Sequence, residues 1–276
     1  MVSTAVAGRI VIMKYSDFAN WLESNDISQF YDSGVTINTR QDIKRILLTV
    51  DVDTSLLLYA TLNNYDTIIV HHAVGKQYYQ ASKELYRRAR FLFNKGIFSC
   101  YNYDISKDCQ RSCEAIWSAN KITVCSLAER LQIRLISYHS AADEIISKKI
   151  IFFSKNTSNR DVLLSNIADF LNASFFLQKY GIAQHIYGPR EGFFKLAYCD
   201  IAYALPPSDN IIKQVIDYGY DFLIVTAISQ NSIEYAEKKG VTIVCINHLQ
   251  IDICAMTILS DMISSAFPTV TIERLW

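Results

Sequence analysis

The sequence predicts an α/β fold built from two similar α/β domains with mostly parallel sheets and a metal site in the cleft between them. Three observations support this. Nearly continuous apolar runs, typical of strands covered on both faces, alternate with helical patterns. Segments of the two halves resemble each other. Histidines and aspartates follow several predicted strands.

The first half alternates strand and helix. A short helix in "SDFANWLES" has Ser16 as a candidate N-cap, and "FYDSGVTI" leads from a loop into a strand. This order favours parallel strands with right-handed crossovers. The predicted strands are "IKRILLTVDV", "YDTIIVHH" and "IFSCYNYD", and the helices between them are "DTSLLLYATLNN" and "KQYYQASKELYRRARFLFNK", the second ended by Gly96 at a C′ position.

The second half returns to the same alternation after a less regular middle. There "KKIIFFS" is predicted as a strand, "RDVLLSNIADFLNAS" as a helix and "QHIYGPREGFF" as a loop. The later strands are "FKLAYCDIAYAL", "YDFLIVTAI", "VTIVCINH" and "TVTIERLW", and the helices are "DNIIKQVIDYG", "NSIEYAEKKG" and "DICAMTILSDMI".

We interpret this return as a divergent internal duplication, with chance similarity of two βαβ units as the alternative. "YDTIIVHHA" matches "YDFLIVTAI", and "KGIFSCYNYDISKD" matches "KGVTIVCINHLQID" without a gap. Asp104 and Asp108 thereby align with His248 and Asp252. The expected division is a lobe over 13–140 and a lobe over 141–276, packed as one unit, after a dispensable leader over 1–12.

Composition argues against several classes of protein. Lys plus Arg and Asp plus Glu both number 27, so there is no basic excess for nucleic-acid binding, and "YRRAR" is interpreted as a solvated helix face. No uncharged apolar stretch is expected to span a membrane. The seven cysteines form no CxxC pair, which makes a zinc site of thiolates a weak candidate. Because no secretory signal is visible, we expect reduced thiols and a cytoplasmic location.

Candidate metal ligands follow three predicted strands. Ligands collect beyond the carboxyl ends of strands in open α/β sheets. His71 and His72, the Asp104/Asp108 pair, and the His248/Asp252 pair all lie at such ends. Imidazole and carboxylate together suit zinc, manganese or ferrous iron.

The adjacency of His71 and His72 predicts two metal ions. Successive side chains of an extended strand point to opposite sides, so neighbouring imidazoles reach two ions better than one. Asp108 and Asp252 are expected to be bridging or terminal ligands, and Asp104 to orient an imidazole or a bound water. Paired divalent ions polarise substrate oxygens and activate water near neutral pH.

Other polar residues have plainer interpretations. His139 and His185 are interpreted as satisfied polar residues rather than ligands, and Asp51 as either a distant acid or a strand-end cap. Arg190 in "YGPREG" lies either at an anion site or on a surface loop. No GxGxxG, Walker lysine loop or GxSxG motif occurs.

The same residues resemble the NIF-three-like family, also known as type-two GTP cyclohydrolase I. The likeness extends over "MKYSDFANWLE", "YDSGV", "ILLTVDVDTSLLLYA", "YDTIIVHHAV", "YNYDISKD" and "GVTIVCINHLQID". The resemblance implies two α/β domains around a dinuclear metal site, assembled as a homohexameric ring. It assigns the ligand role to His71, His72, Asp108, His248 and Asp252.

The chain also departs from the family pattern. The family usually has His-Thr-x-x-Asp where this chain has Asp104 to Asp108, and glutamate where Asp252 stands. "ALPPSD" replaces a glycine-rich turn, and Thr226 to Ile228 replace a Thr-Gly-Glu segment. Cyclohydrolase activity therefore transfers weakly.

The functional expectation is a metal-dependent hydrolase, cyclohydrolase-like or phosphoesterase-like, acting on a nucleotide-like or phosphate-containing small molecule. The alternative is a non-catalytic, metal-stabilised scaffold or regulatory protein-binding ring. A decayed site with one ion or none is a third reading.

Overall fold

Two β-sheets organise the molecule in the computed structural model, which describes residues 13–25, 27–97, 122–172, 184–203 and 206–276. The strands are β1 (Gly34–Ile37), β2 (Arg45–Thr49), β3 (Thr67–Val70), β4 (Arg134–Ser137), β5 (His185–Tyr187), β6 (Ala197–Asp200), β7 (Phe222–Val225), β8 (Thr242–Cys245) and β9 (Thr271–Leu275). The helices are α1 (Tyr15–Ser24), α2 (Thr54–Leu62), α3 (Gly75–Asn94), α4 (122–130), α5 (Ser140–Asn156), α6 (Arg160–Asn172), α7 (Asp209–Tyr218), α8 (Gln230–Lys238) and α9 (His248–Ala266).

The two sheets repeat one strand order. The first sheet runs β1-β4-β3-β2-β9, and the second runs β5-β8-β7-β6. In each, the first strand is antiparallel to its neighbour and the following strands are parallel. The chain therefore forms a mixed α/β fold of two similar units, as the sequence predicts.

The last strand, β9, returns to the first sheet and pairs in parallel with β2. The second half of the chain thus contributes a strand to the first sheet. The division at residues 140 and 141 stays a prediction, and this strand ties the two halves together.

Each sheet is covered on both faces, which explains the continuous apolar runs. In the first sheet, Leu48 and Ile69 face one core, while the alternate residues Leu47 and Ile68 face another. The alternation follows from the twofold period of side chains along a strand. The shared core joins both sheets through α5 and α9, which pack on each other and contact β6 and β2, respectively.

Helix ends follow from local chemistry. Asp53 caps α2 by accepting a hydrogen bond from the Leu56 N–H, and Ser208 and Ser229 cap α7 and α8 in the same way. Gly96 follows α3 with a φ of 72°, in the left-handed region that glycine adopts without a Cβ penalty. The C′ position predicted for Gly96 is confirmed.

Four local predictions differ from the structure. Ser16 is not the N-cap of α1, because that helix begins at Tyr15 and Lys14 holds the N-cap position. The "KKIIFFS" segment is helical, within α5, because Ile146 and Ile150 are buried one turn apart while Phe152 is exposed. Within "QHIYGPREGFF", residues His185–Tyr187 form a short strand against β8. Helix α9 begins at His248 rather than at the predicted residue 252.

Helix α9 alone among the described helices is long and apolar enough to cross a membrane, by length and composition. Its apolar side chains include Ile251, Ala255 and Leu259, all of which are buried in the shared core. Packing between the two sheets accounts for its hydropathy.

Candidate metal centre

The histidine doublet lies directly after β3. The backbone N–H groups of His71 and His72 donate to the carbonyls of Thr49 and Val50 at 3.0 and 2.9 Å, so both residues continue the ladder beside β2. Their rings cross at 75° with centroids 5.3 Å apart. His71 is fully buried, whereas His72 is partly exposed. The strand ladder therefore fixes two neighbouring imidazoles whose ring planes are nearly perpendicular.

Asp252 lies where these rings converge. Its Oδ1 is 3.8 Å from His71 Nδ1, and its Oδ2 is 3.4 Å from His72 Nε2. His248, one helical turn earlier in α9, places Nε2 at 3.4 Å from Oδ1. Each carboxylate oxygen thus faces a different member of the doublet, as a bridging ligand would.

A second helix supplies two further groups, which the sequence interpretation missed. His139, just before α5, has its ring centroid 5.0 Å from that of His71. Asp143 Oδ1 lies 3.1 Å from His71 Nε2, so Asp143 and Asp252 flank the two nitrogens of one ring. His139 therefore lies in the cluster of the doublet, and its role as a satisfied polar residue rather than a ligand stays a prediction.

The overlooked signal was a repeated spacing. β4 holds the place in the first sheet that β8 holds in the second. His139 and Asp143 follow β4 with the four-residue spacing of His248 and Asp252 after β8. By its position in the sheet, β4 is therefore the counterpart of β8. The aligned segment that begins at Gly96 lies outside the described residues from residue 98 onward.

Residues after β4 also fit a sequence pattern that the family resemblance implies. His139-Ser140-Ala141-Ala142-Asp143 matches the His-Thr-x-x-Asp pattern, with serine in place of threonine. Asp104 and Asp108 lie outside the described residues. His185 is exposed on β5, stacks on Tyr187 and belongs to none of the three clustered groups that could hold an ion.

Two further carboxylates contact the Nδ1 atoms of imidazoles in the cluster. Asp51 Oδ1 is 2.8 Å from His72 Nδ1, and Asp32 Oδ2 is 2.7 Å from His139 Nδ1. Asp32 is fully buried and also accepts hydrogen bonds from the backbone and hydroxyl of Ser140. In both His72 and His139 the carboxylate contacts Nδ1, so Nε2 is the ring nitrogen that remains for a metal ion. Such carboxylate contacts fix the orientation of a ligating ring.

The charged forms of His72 and Asp252 stabilise each other. Burial opposes protonation of His72, but hydrogen bonds to Asp252 and Asp51 raise its pKa to about 10. Burial opposes ionisation of Asp252, but the surrounding imidazoles of His71, His72 and His248 lower its pKa to about 2. The protein without metal therefore holds a proton where a cation would bind.

The donor set fits a divalent ion. Three overlapping groups place their ligand atoms within 4.8 Å of one another: His71/His72/His139, His72/His248/Asp252 and His71/Asp143/Asp252. His71 Nδ1 and Asp252 Oδ1 are buried without a hydrogen-bond partner. Their separation of 3.8 Å is too long for a hydrogen bond but suits two atoms on one ion, because metal–ligand bonds are about 2.0–2.2 Å. The cluster could hold a metal ion.

Asparagine at position 32 is expected to loosen His139. Asp32→Asn removes the charge that His139 and Ser140 share, so we expect a loss of about 1.5–3 kcal/mol in unfolding free energy. Urea denaturation of the metal-free protein measures it. Asp42→Asn, at an exposed carboxylate, is the matched control, and equal effects of the two substitutions would contradict the role given to Asp32.

The stability of the metal-free protein is expected to fall as pH rises. The pKa of His72 is raised from 6.5 to about 10, so its contribution is complete below pH 6.5 and is lost toward pH 10. The lowered pKa of Asp252 gives a contribution to stability that is lost only as pH falls from 3.8 through about 2.

Because a metal needs neutral imidazole, the metal-induced rise in Tm is expected to widen over the same alkaline range. Thermal melts with manganese or chelator test this, and His72→Gln should flatten the metal-free profile. A metal-free Tm that rises with pH would contradict it.

Comparison with known proteins finds solved structures and a family model that this chain resembles. The NIF3 superfamily protein from Sphaerobacter thermophilus superposes with a TM-score of 0.75 at 16% identity, over 96% of this chain and 99% of that chain. Reduced HcgD from Methanocaldococcus jannaschii gives 0.59 at 16% identity, over 96% and 98%. A Bacillus cereus protein related to NIF3 gives 0.51 at 8% identity, over 95% and 96%. No curated protein matches. The family model Duf34/NIF3 (NGG1p interacting factor 3) matches residues 13–275, and the chain therefore belongs to the Duf34/NIF3 family.

Proposed function

We propose that the protein binds two divalent metal ions and hydrolyses a small molecule at a ring carbon or a phosphoryl centre. The observation that carries the proposal is the position of Asp252. Its two oxygens face different imidazoles of the doublet, and His248 and Asp143 add donors on either side. One carboxylate between two sets of donors is an arrangement that can bridge two metal ions.

Access to solvent favours catalysis over a purely structural site. The side chains of His248 and His72 are 42% and 28% exposed, whereas Asp252 is buried beneath them. Structural zinc sites are closed, while catalytic sites keep an open position for water or substrate. A substrate can therefore approach from the side of His248 and His72.

The roles of the chain's own residues follow from their contacts. Asp51 orients His72 through Nδ1, and Asp32 orients His139 in the same way. Bound divalent ions would supply Lewis acidity toward a substrate oxygen or a water. Asp252 neutralises positive charge in the centre and holds its imidazoles together.

The decisive experiment is turnover by metal-loaded protein. The protein is loaded with zinc, manganese or ferrous iron and assayed against cyclic amides, nucleotides and phosphoesters. We expect turnover that chelation abolishes and metal restores, and that Asp252→Asn lacks. Full metal content without turnover of any substrate class would contradict the hydrolase proposal.

The family description names an interacting factor, which supports a second candidate function. In that function the protein is a non-catalytic, metal-stabilised scaffold or a regulatory protein-binding ring. Assembly into a homohexamer and a cytoplasmic location also remain proposals from the sequence. Light scattering of metal-loaded and metal-free protein tests the assembly, and a mass of one chain in both states would exclude the ring.

A further inference from the structure

A groove adjoins the metal centre on the side of β2. Its volume is about 520 Å³, within the range of about 300–1,000 Å³ that is usual for small-molecule sites. It lies at the carboxyl ends of β2 and β9 and beside the first turns of α2. Thr49 and Leu275, paired at the ends of those strands, form part of its wall.

Asp51 connects this groove to the metal centre. It lines the groove, and its Oδ1 lies 2.8 Å from His72 Nδ1. A molecule seated in the groove is thus separated from His72 by one carboxylate. The groove is therefore placed to hold a part of a molecule whose other part reaches the centre.

The groove has an apolar side fit for a flat ring. Val52, Leu56 and Leu275 supply aliphatic surface, and Tyr59 supplies an aromatic ring. The Tyr59 ring is held in place, because its hydroxyl donates to Glu273 at 2.9 Å and its ring stacks on Tyr65 at 6.3 Å. Fixed aromatic and aliphatic walls favour a planar partner.

The charged groups at the groove are acidic. Asp51 and Asp53 line it, and Glu273 lies behind Tyr59. Hydrogen bonds from Ser55 and the Leu56 N–H lower the pKa of Asp53, and hydrogen bonds from the Tyr65 and Tyr59 hydroxyls lower the pKa of Glu273, so both are ionised at neutral pH.

No lysine, arginine or histidine is among the described residues that line the groove. Arg45 lies at the opposite end of β2 from the groove, where it donates to the Tyr65 hydroxyl and lies over the Tyr65 ring. A phosphate in the groove would therefore face the carboxylates of Asp51 and Asp53, because the imidazole of His72 contacts Asp51 without lining the groove.

We propose that this groove binds a planar, uncharged or cationic ring of the substrate and disfavours a phosphate. The inference rests on the proposed function in naming that ligand a substrate. It assigns the groove to a part of the substrate that lies beside the metal centre, separated from His72 by Asp51.

Three fragments matched in shape test the charge preference. Benzamidine, benzamide and phenyl phosphate carry a cationic, a neutral and an anionic group on one ring. Their binding to zinc-loaded protein is followed by NMR of the Val52, Leu56 and Leu275 methyl groups. We expect benzamidine and benzamide to shift these signals with Kd values at least about tenfold below that of phenyl phosphate, the size of one screened charge contact.

A lysine in the groove should reverse the order. Ser55 is exposed and lines the groove, so Ser55→Lys adds a cation without removing core packing. Leu62→Lys, on the same helix at an 81% exposed position outside the lining, is the matched control. Ser55→Lys is expected to favour phenyl phosphate at these methyl groups, and Leu62→Lys to leave the order unchanged.

The outcomes separate this inference from the proposed function. Phenyl phosphate binding as tightly as benzamide at these methyl groups, or no fragment shifting them at millimolar concentration, would overturn the inference. Binding in the expected order by a protein without turnover would leave the groove assignment in place and count against the hydrolase alone.

Discussion

Replacing Asp252 with asparagine is expected to empty the metal centre. Asp252 is the residue that three histidines share, with contacts of 3.4–3.8 Å to His71, His72 and His248. The amide keeps the shape but loses the charge and one acceptor oxygen. Outer carboxylates typically change metal affinity by about 10–100-fold, so loss of this central ligand should weaken binding by roughly 100-fold or more.

Elemental analysis after dialysis measures the effect, and a competing chelator gives the affinity. Asp261→Asn is the matched control, because Asp261 lies on the same helix with a largely exposed side chain that pairs with Arg274. It should retain metal as the unchanged protein does. Metal retained in Asp252→Asn at the unchanged level would remove the bridging role from this residue.

Asparagine at position 143 is expected to cost one of the two ions. Asp143 is buried and contacts His71 Nε2 at 3.1 Å, on the opposite side of the ring from Asp252. Without this carboxylate, the donors that remain nearby are imidazoles and Asp252. We expect the metal content of Asp143→Asn to fall from about two ions per chain, the number of a two-metal site, to about one.

The same measurement on Asp108→Asn decides between two aspartates. The sequence predicts Asp108 as a ligand, whereas the structure brings Asp143 to the doublet. If the spacing after β4 marks the ligand, Asp108→Asn keeps both ions and Asp143→Asn does not. The reverse result would restore the original alignment and make Asp143 an orienting group for His71.

The strands were the most predictable part of the fold. β2, β3 and β7 are short, largely apolar runs buried on both faces. β2 ends at Thr49, and His71 and Thr226 directly follow β3 and β7. The "KKIIFFS" segment failed for the same reason that these succeeded. A short apolar run has no period that separates a strand from a helix, and only the burial of Ile146 and Ile150 shows the helical face.

Half of the metal centre was readable from local pattern. The doublet and the His248/Asp252 spacing each carry their signal within a few residues. His139 and Asp143 have the same spacing, but β4 before them, Arg134–Ser137, is only four residues long and was not predicted as a strand. Asp32 and Asp51 could not be assigned, because their role depends on contacts to His139 and His72 made through tertiary packing.

Crystals grown with manganese or zinc and read for anomalous scattering test most directly whether the two halves of the chain bring one metal pair together. Two peaks about 3.5–4 Å apart are expected, each within about 2.0–2.2 Å of a different Asp252 oxygen. The same peaks should lie against the doublet and His248. Metal bound elsewhere on the chain, with His71, His72 and Asp252 free of it, would contradict the account.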